Sequence, residues 1–210
     1  MRMVHVDTAL EWRGGQVLLW RLLRELHARG EETWLAAPRA SRIWSKTEFL
    51  GERRIHIPSG WSLRAPLRIR RVEPDLVVAH TSHAHGSCLF LKRPLVVHRW
   101  VDFPPSGGHK YRRPDGWVAC SDAIASLLQG VGARNIHRVY GGSDPLPESP
   151  PAVDGPDILA VGARVHHKGH DVLDQALEYL PGIDAAVAGP GEARFARLRV
   201  LGERKDVSAL

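Results

Sequence analysis

The chain has 210 residues, 43% of them hydrophobic and 25% charged, a balance that excludes a disordered chain and at this length suggests one domain plus a remainder. Lysine and arginine exceed aspartate and glutamate by 29 to 23, giving a formal charge of +6; this fits either a solvated arginine surface or an anionic partner such as nucleic acid, anionic membrane or a phosphorylated ligand. No segment approaches the roughly 18 consecutive apolar residues of a membrane span.

Residues 3–7 read as a strand that starts almost at once, so no signal peptide is expected. Gly14 and Gly15 follow, then a helix over 16–29 with apolar Val17, Leu18, Leu19, Leu22, Leu23 and Leu26, stopped by Gly30. A strand over 33–37 completes one βαβ unit. The alternation continues with a helix over 41–50, a strand over 54–57, a basic helix over 62–72 closed by Pro74, and a buried strand over 76–80. A helix over 83–91, strands over 95–98 and 117–120, a helix over 122–128 and a strand over 136–140 follow. This pattern predicts a mostly parallel sheet covered on both faces.

Between 141 and 157 the rhythm breaks. Five prolines and three glycines fall there, and proline stiffens such a segment against helix and sheet. The predicted organisation is therefore a Rossmann-like domain over 1–142, a linker over 143–156 and a shorter α/β unit over 157–210. In that unit a strand over 158–161, a loop over 162–169, a helix over 171–180, a strand over 185–188, a turn at 189–191 and a helix over 194–201 are expected. With so few strands, its sheet should leave apolar edges near Ile158 and Val187, a surface suited to homo-oligomerisation. Cys88 and Cys120 are isolated and form no CxxC pair, which fits buried thiols in a reducing compartment, the cytoplasm.

In open α/β sheets ligands bind beyond the carboxyl ends of the strands, and glycine turns occupy such places. Gly14 and Gly15 let the backbone approach a ligand at a helix start, where N–H groups hold phosphate; the alternative is a tight turn without a ligand. In the stretch VGARVHHKG, a buried strand ends in Gly162 and two cations follow before a helix. Arg164 can fork onto phosphate oxygens and Lys168 can act as a point charge, unless both are merely surface cations. Gly189 and Gly191 close the next strand.

VGARVHHKGHDVLDQAL followed by AAVAGPGE resembles the opening of the donor domain of family-four glycosyltransferases of the GT-B fold. HVDTALEWRGGQ resembles their N-terminal glycine loop, LVVAHTSHAH their mid-domain strand, VVHRWVDFPP the segment facing the acceptor, and VACSDAIASLLQGVGARNIHRVYGGSD the end of their first domain. The resemblance implies an N-terminal Rossmann-like domain followed by an incomplete second one. It implies transfer of a sugar from a nucleoside-diphosphate sugar, with retention, without a metal and without any other cofactor. Lys168 matches the family lysine on the donor diphosphate. The family arginine directly follows the glycine, where this chain has Ala163, and Arg164 stands one residue late. A family histidine after the fifth strand falls near Trp100, with His98 two residues earlier, so His98 and Asp102 are the candidates for contact with the sugar. The paired glutamates that hold the ribose and sugar in the family belong to a region past Leu210.

Other readings of the same residues compete. His80, His83 and His85 lack the HExxH spacing and an acidic neighbour, so no metal site is expected. Arg64, Arg68, Arg70 and Arg71 form a basic stripe that is either a solvated face or a dock for anionic lipid headgroups at the inner face of a membrane. The scattered tryptophans make no stacking platform, and no nucleic-acid partner is expected. Three functions stay open: an active glycosyltransferase, an inactive sugar- or nucleotide-binding remnant, and a basic membrane-associated scaffold.

Overall fold

Runs such as MVHV, LVVA and LVVHR are apolar and β-branched, and each becomes a strand buried along most of its length. The computed structural model describes residues 1–103, 108–143, 145 and 155–204; nearly all of the expected linker lies outside them. Two compact units divide at Gly142.

The first unit carries seven strands among the described residues: β1 (Met3–Val6), β2 (Thr33–Ala37), β3 (Arg54–His56), β4 (Leu76–Ala79), β5 (Leu95–Arg99), β6 (Gly116–Ala119) and β7 (Ile136–Arg138). They form one sheet in the order β3-β2-β1-β4-β5-β6-β7, every pairing parallel. The helices are α1 (Gly14–Ala28), α2 (Arg42–Lys46), α3 (Arg64–Arg70), α4 (Ser82–Cys88), α5 (Gly108–Tyr111) and α6 (Asp122–Gly130).

Parallel strands need covered faces, and the core divides accordingly. Leu19 and Leu23 of α1 pack with Leu35, Ala37, Ile43 and Leu50. A larger cluster joins Val4, Val77 and Val97 of the sheet to Ile69 of α3, Cys88 of α4 and Leu128 of α6. Ala36, between Leu35 and Ala37, belongs to this second cluster, as the twofold alternation of a strand requires.

The strand-to-helix turns end in hydroxyl residues that cap the helices. The Ser41, Thr81 and Ser121 side chains accept from the backbone N–H of Trp44, Ala84 and Ile124 at 3.4, 3.2 and 3.3 Å, each cap stabilising its helix by about 1 kcal/mol. Thr47 divides the expected 41–50 helix into α2 and a single 3-10 turn over Glu48–Leu50. Its hydroxyl donates back to the Ile43 carbonyl at 2.8 Å, a bond that competes with helix continuation. The short helix α5 falls in a stretch that local pattern leaves as loop.

The second unit contains β8 (Ile158–Val161), α7 (His170–Ala176), β9 (Ala185–Ala188) and β10 (Arg199–Gly202), with the sheet order β10-β9-β8. The helix expected over 194–201 is replaced by the end of a loop and by β10. The cause is Asp174, whose carboxylate accepts from the backbone N–H groups of Ala196, Arg197 and Leu198 at 3.2, 2.7 and 2.9 Å. Those donors are held by α7, and the chain leaves them extended and parallel to β9. Because β10 covers the second edge of β9, Val187 is fully buried rather than edge-exposed. The free edges among the described residues belong to β8, where Val161 is exposed and Ile158 packs partly against the core, and to β10, where Val200 is exposed.

Candidate functional site

At the carboxyl ends of β1, β4 and β5, polar residues terminate otherwise apolar strands. His5 stands opposite Val78 in register, so His80, two residues on, points to the same side as its partner. The His5 Nδ1 and His80 Nε2 atoms lie 3.0 Å apart. His80 and His98 follow with ring centroids 5.5 Å apart, and His98 stacks on Trp100 at 3.6 Å. Trp100 in turn rests on the start of α1: a side chain at Gly15 would meet its indole at 3.2 Å. The glycine there serves close packing of the helix start against the ring.

The rings of His80, His98 and Trp100, with Glu11, Arg13, Gln16, Thr81, His85 and Arg99, border a cavity of about 250 Å³. Asp7, fully buried, accepts from Nε2 of the bordering Gln16 at 2.9 Å and from the Ala9 N–H at 2.7 Å. Gln16 Oε1 accepts from the Arg13 N–H at 3.2 Å and so satisfies a donor at the start of α1. Among the described residues, the Nε2 atoms of His5 and His98, Nδ1 of His80, Nε of Arg99 and Nε1 of Trp100 are buried without a hydrogen-bond partner.

Burial dominates the electrostatics here. It pushes His5 down to about 4, aided by His98. It holds His80 well below the usual imidazole range, aided by His5 and His98, and pushes His98 down to about 4. The three imidazoles are therefore neutral at neutral pH, able to accept or donate a hydrogen bond but not to act as cations. Asp7 is raised by burial, against the hydrogen bonds from Gln16 and Ala9. Burial also lifts the Cys88 thiol to about 12, as suits a packed core residue.

In the second unit, Gly162 and Gly189 end the adjacent strands β8 and β9. A side chain at Gly189 would sit 1.8 Å from the Gly162 carbonyl oxygen, so only glycine lets the two backbones meet. Arg164 turns its guanidinium onto the carbonyls of Gly189, Gly191 and Ala193. It fastens the 189–193 turn instead of presenting its fork to solvent. Lys168 ends a 3-10 turn over His166–Lys168, ahead of Gly169 and α7. It is exposed and, among the described residues, enters no ion pair. A cleft of about 340 Å³ lies alongside, bordered by Arg164, His166, His170, Asp171 and Phe195.

Of the residues singled out from sequence, Gly15 and His98 come together at the first cavity. Gly14 is exposed beside it, and Asp102 is exposed outside its lining. Gly162, Arg164, Lys168, Gly189 and Gly191 share the loops after β8 and β9. Local pattern missed His5, Arg99 and the Asp7–Gln16 pair; the available signal was a polar residue closing each apolar strand. Among the described residues no group of histidine, cysteine or acidic side chains is arranged to hold a metal.

The basic stripe does not point one way. Arg68 donates inward to the His56 carbonyl at 2.7 Å. Arg70 borders a groove of about 580 Å³ with Leu63, Pro66, Leu67, Phe90, Lys92 and Arg93. Leu63, Leu67 and Phe90 are more than half exposed, as is Trp61, which meets Phe90 edge-on at 6.3 Å.

The profile of Glycosyltransferase Family 4 matches residues 12–145. No curated protein sequence is significantly similar to the chain. Among solved structures, HepE from Anabaena, crystallised with UDP-glucose, superposes with a TM-score of 0.74 at 17% identity over 100% of this chain and 71% of its own. The lipopolysaccharide outer core galactosyltransferase WaaB matches with a TM-score of 0.63 at 14% identity, over 98% of this chain and 69% of its own. MurG from Acinetobacter baumannii matches at 0.55 and 13% identity, over 99% and 68%.

Proposed function

The chain belongs to Glycosyltransferase Family 4, with a fold of the GT-B type, and from this we propose that it transfers a sugar from a nucleoside-diphosphate sugar to a glycan or lipid-linked acceptor, with retention at the anomeric carbon and without a metal ion. The observation that carries the reading is Lys168, an exposed cation after the β8 glycine turn with no ion-pair partner among the described residues. As the sugar–diphosphate bond breaks, charge grows on the leaving diphosphate, and a cation placed there favours the transition state. HepE, similar in fold, binds UDP-glucose, which supports a nucleotide-sugar donor. In the first unit, His98 is the residue proposed to contact sugar or acceptor, as a neutral imidazole at the cavity.

Calorimetry with nucleoside diphosphates tests this. Binding is expected, weakening as salt rises. Lys168→Ala should reduce it about tenfold or more, the loss of a charge-assisted contact, while Lys46→Ala on α2 should not. Binding indifferent to Lys168→Ala would place the donor elsewhere. Release of nucleoside diphosphate from a sugar nucleotide separates an active enzyme from the inactive alternative.

The reading also includes a place for the acceptor. The groove between α3 and the segment after α4 combines exposed Leu63, Leu67 and Phe90 with Arg70, Lys92 and Arg93. Apolar side chains rimmed by cations match the chemistry of an anionic bilayer surface, where a lipid-linked acceptor would be met. No helix among the described residues is long and apolar enough to cross a membrane, so the contact proposed is peripheral.

A further inference from the structure

Arg99 is the feature of the first cavity that transfer of a neutral sugar leaves unexplained. It ends β5, borders the cavity and is only 8% exposed. A guanidinium keeps its charge, and a buried charge without a partner is strongly unfavourable. Yet among the described residues no carboxylate pairs with it. Its contacts are neutral: the Phe103 carbonyl, the Tyr111 hydroxyl at 3.5 Å and the Tyr111 ring face at 5.8 Å. Its Nε atom is buried with no hydrogen-bond partner.

The surroundings do not supply the missing charge. His85, also on the cavity, is pushed down to about 4 by burial, with Lys110 and Arg99 acting in the same direction. The Lys110 Nζ lies 5.2 Å from the centre of the Tyr111 ring, the same ring that Arg99 faces, and adds a further positive charge. Glu11 and Arg13 also border the cavity, both exposed and opposite in sign. A buried cation with an unused donor, beside neutral imidazoles and the start of a fifteen-residue helix, is the arrangement expected of an oxyanion site.

We infer that the first cavity binds an anionic group of the acceptor, a phosphate or a carboxylate, with Arg99 as its counter-ion. This rests on the proposal that the cavity is the acceptor side of a sugar transferase. The acceptor is thereby narrowed to a phosphorylated or acidic molecule.

The test uses the whole chain with inorganic phosphate and acetate as probes, read by calorimetry and by thermal shift. One of the two anions is expected to bind and to raise the melting temperature; which one distinguishes a phosphorylated from a carboxylated acceptor. Arg99→Gln should weaken that binding about tenfold or more, the loss of a charged donor, and abolish the shift. Arg99→Lys should retain part of both, and Lys46→Ala on α2 should leave both unchanged. A merely structural Arg99 would lower the melting temperature and leave the anion-induced shift intact. In the unsubstituted protein, the same anion should protect Arg99 from dicarbonyl modification, mapped by mass spectrometry, which needs no variant to fold. The proposal is overturned if neither anion binds, if binding survives Arg99→Gln, or if it is lost only in Lys168→Ala. Failure of the donor reading shows separately, as nucleoside-diphosphate binding indifferent to Lys168, and leaves the Arg99 result standing.

Discussion

His5, His80 and His98 are held neutral by burial at the ends of three neighbouring strands, with His5 and His98 at about 4. Unfolded imidazoles titrate near 6.5 (about that value in model peptides). Between the two ranges the unfolded chain binds protons that the folded chain refuses, so stability falls as pH drops. The loss begins as pH passes below the unfolded value and levels off for His5 and His98 once they also protonate, near 4. Asp7 acts in the opposite sense, because burial raises its carboxyl and protonation favours the folded form at the acid end. The expected outcome is a melting temperature that declines from pH 7 to pH 5, with a shallower decline in His80→Gln. Equal slopes in both proteins would mean that the cluster does not govern the acid response. At this scale the sequence was half legible. Lys168 stood out because a glycine-ended strand precedes it, whereas Arg99 looked like any arginine. Its meaning lies in being buried without a carboxylate, and that depends on residues such as Tyr111 brought to it by the fold.

Much of the α/β alternation of residues 1–140 was readable because β1, β2, β4 and β5 are short apolar runs and α1, α2, α4 and α6 begin at a glycine turn or a hydroxyl cap. Those signals are local and give a mostly parallel sheet; the order β3-β2-β1-β4-β5-β6-β7 is set by packing between distant segments. Residues 194–201 show where local reading fails. Ala193, Arg194, Ala196, Arg197 and Leu198 all favour helix, but the Asp174 carboxylate, about twenty residues earlier, takes three successive N–H groups there. Burial opposes the ionisation of Asp174, yet those bonds outweigh it and hold its carboxyl below the ordinary range. Asp174→Ala should therefore loosen β10 from β9 and destabilise the second unit by roughly 1–3 kcal/mol, the cost of leaving such donors without their acceptor. Asp174→Asn should recover part of it through the amide oxygen. Hydrogen exchange provides the check: the amides of 196–198 should lose protection in Asp174→Ala, while those of α1 should not. Unchanged exchange at 196–198 would show that β10 is held by its pairing with β9 alone.

For the molecule as a whole, the excess positive charge of +6 is not spread as a uniform coat. Arg164 and Arg68 are turned onto backbone carbonyls, and Arg99 is buried. Of the basic stripe on α3, Arg70 borders the apolar groove and Arg64 stands exposed nearby, with Lys92 and Arg93 on the opposite wall. Cations near an anionic bilayer contribute about 1 kcal/mol each, close to fivefold in binding, and exposed leucine and aromatic side chains add burial in the headgroup layer. Neither term alone gives firm attachment, but together they predict reversible binding to acidic membranes. Sedimentation with vesicles of phosphatidylcholine alone and of phosphatidylcholine with phosphatidylglycerol tests it. The chain should bind the acidic vesicles and release as salt rises, since screening shortens the reach of the surface charge. Lys92→Glu with Arg93→Glu should reduce binding by well over tenfold, because removal and reversal of two cations compound. Leu67→Asp with Phe90→Asp should weaken it even at low salt, where a purely electrostatic contact would persist. Binding that responds to the charge variants but not to the apolar ones would make the groove a general polyanion surface, and equal binding to neutral vesicles would remove the cations from the mechanism.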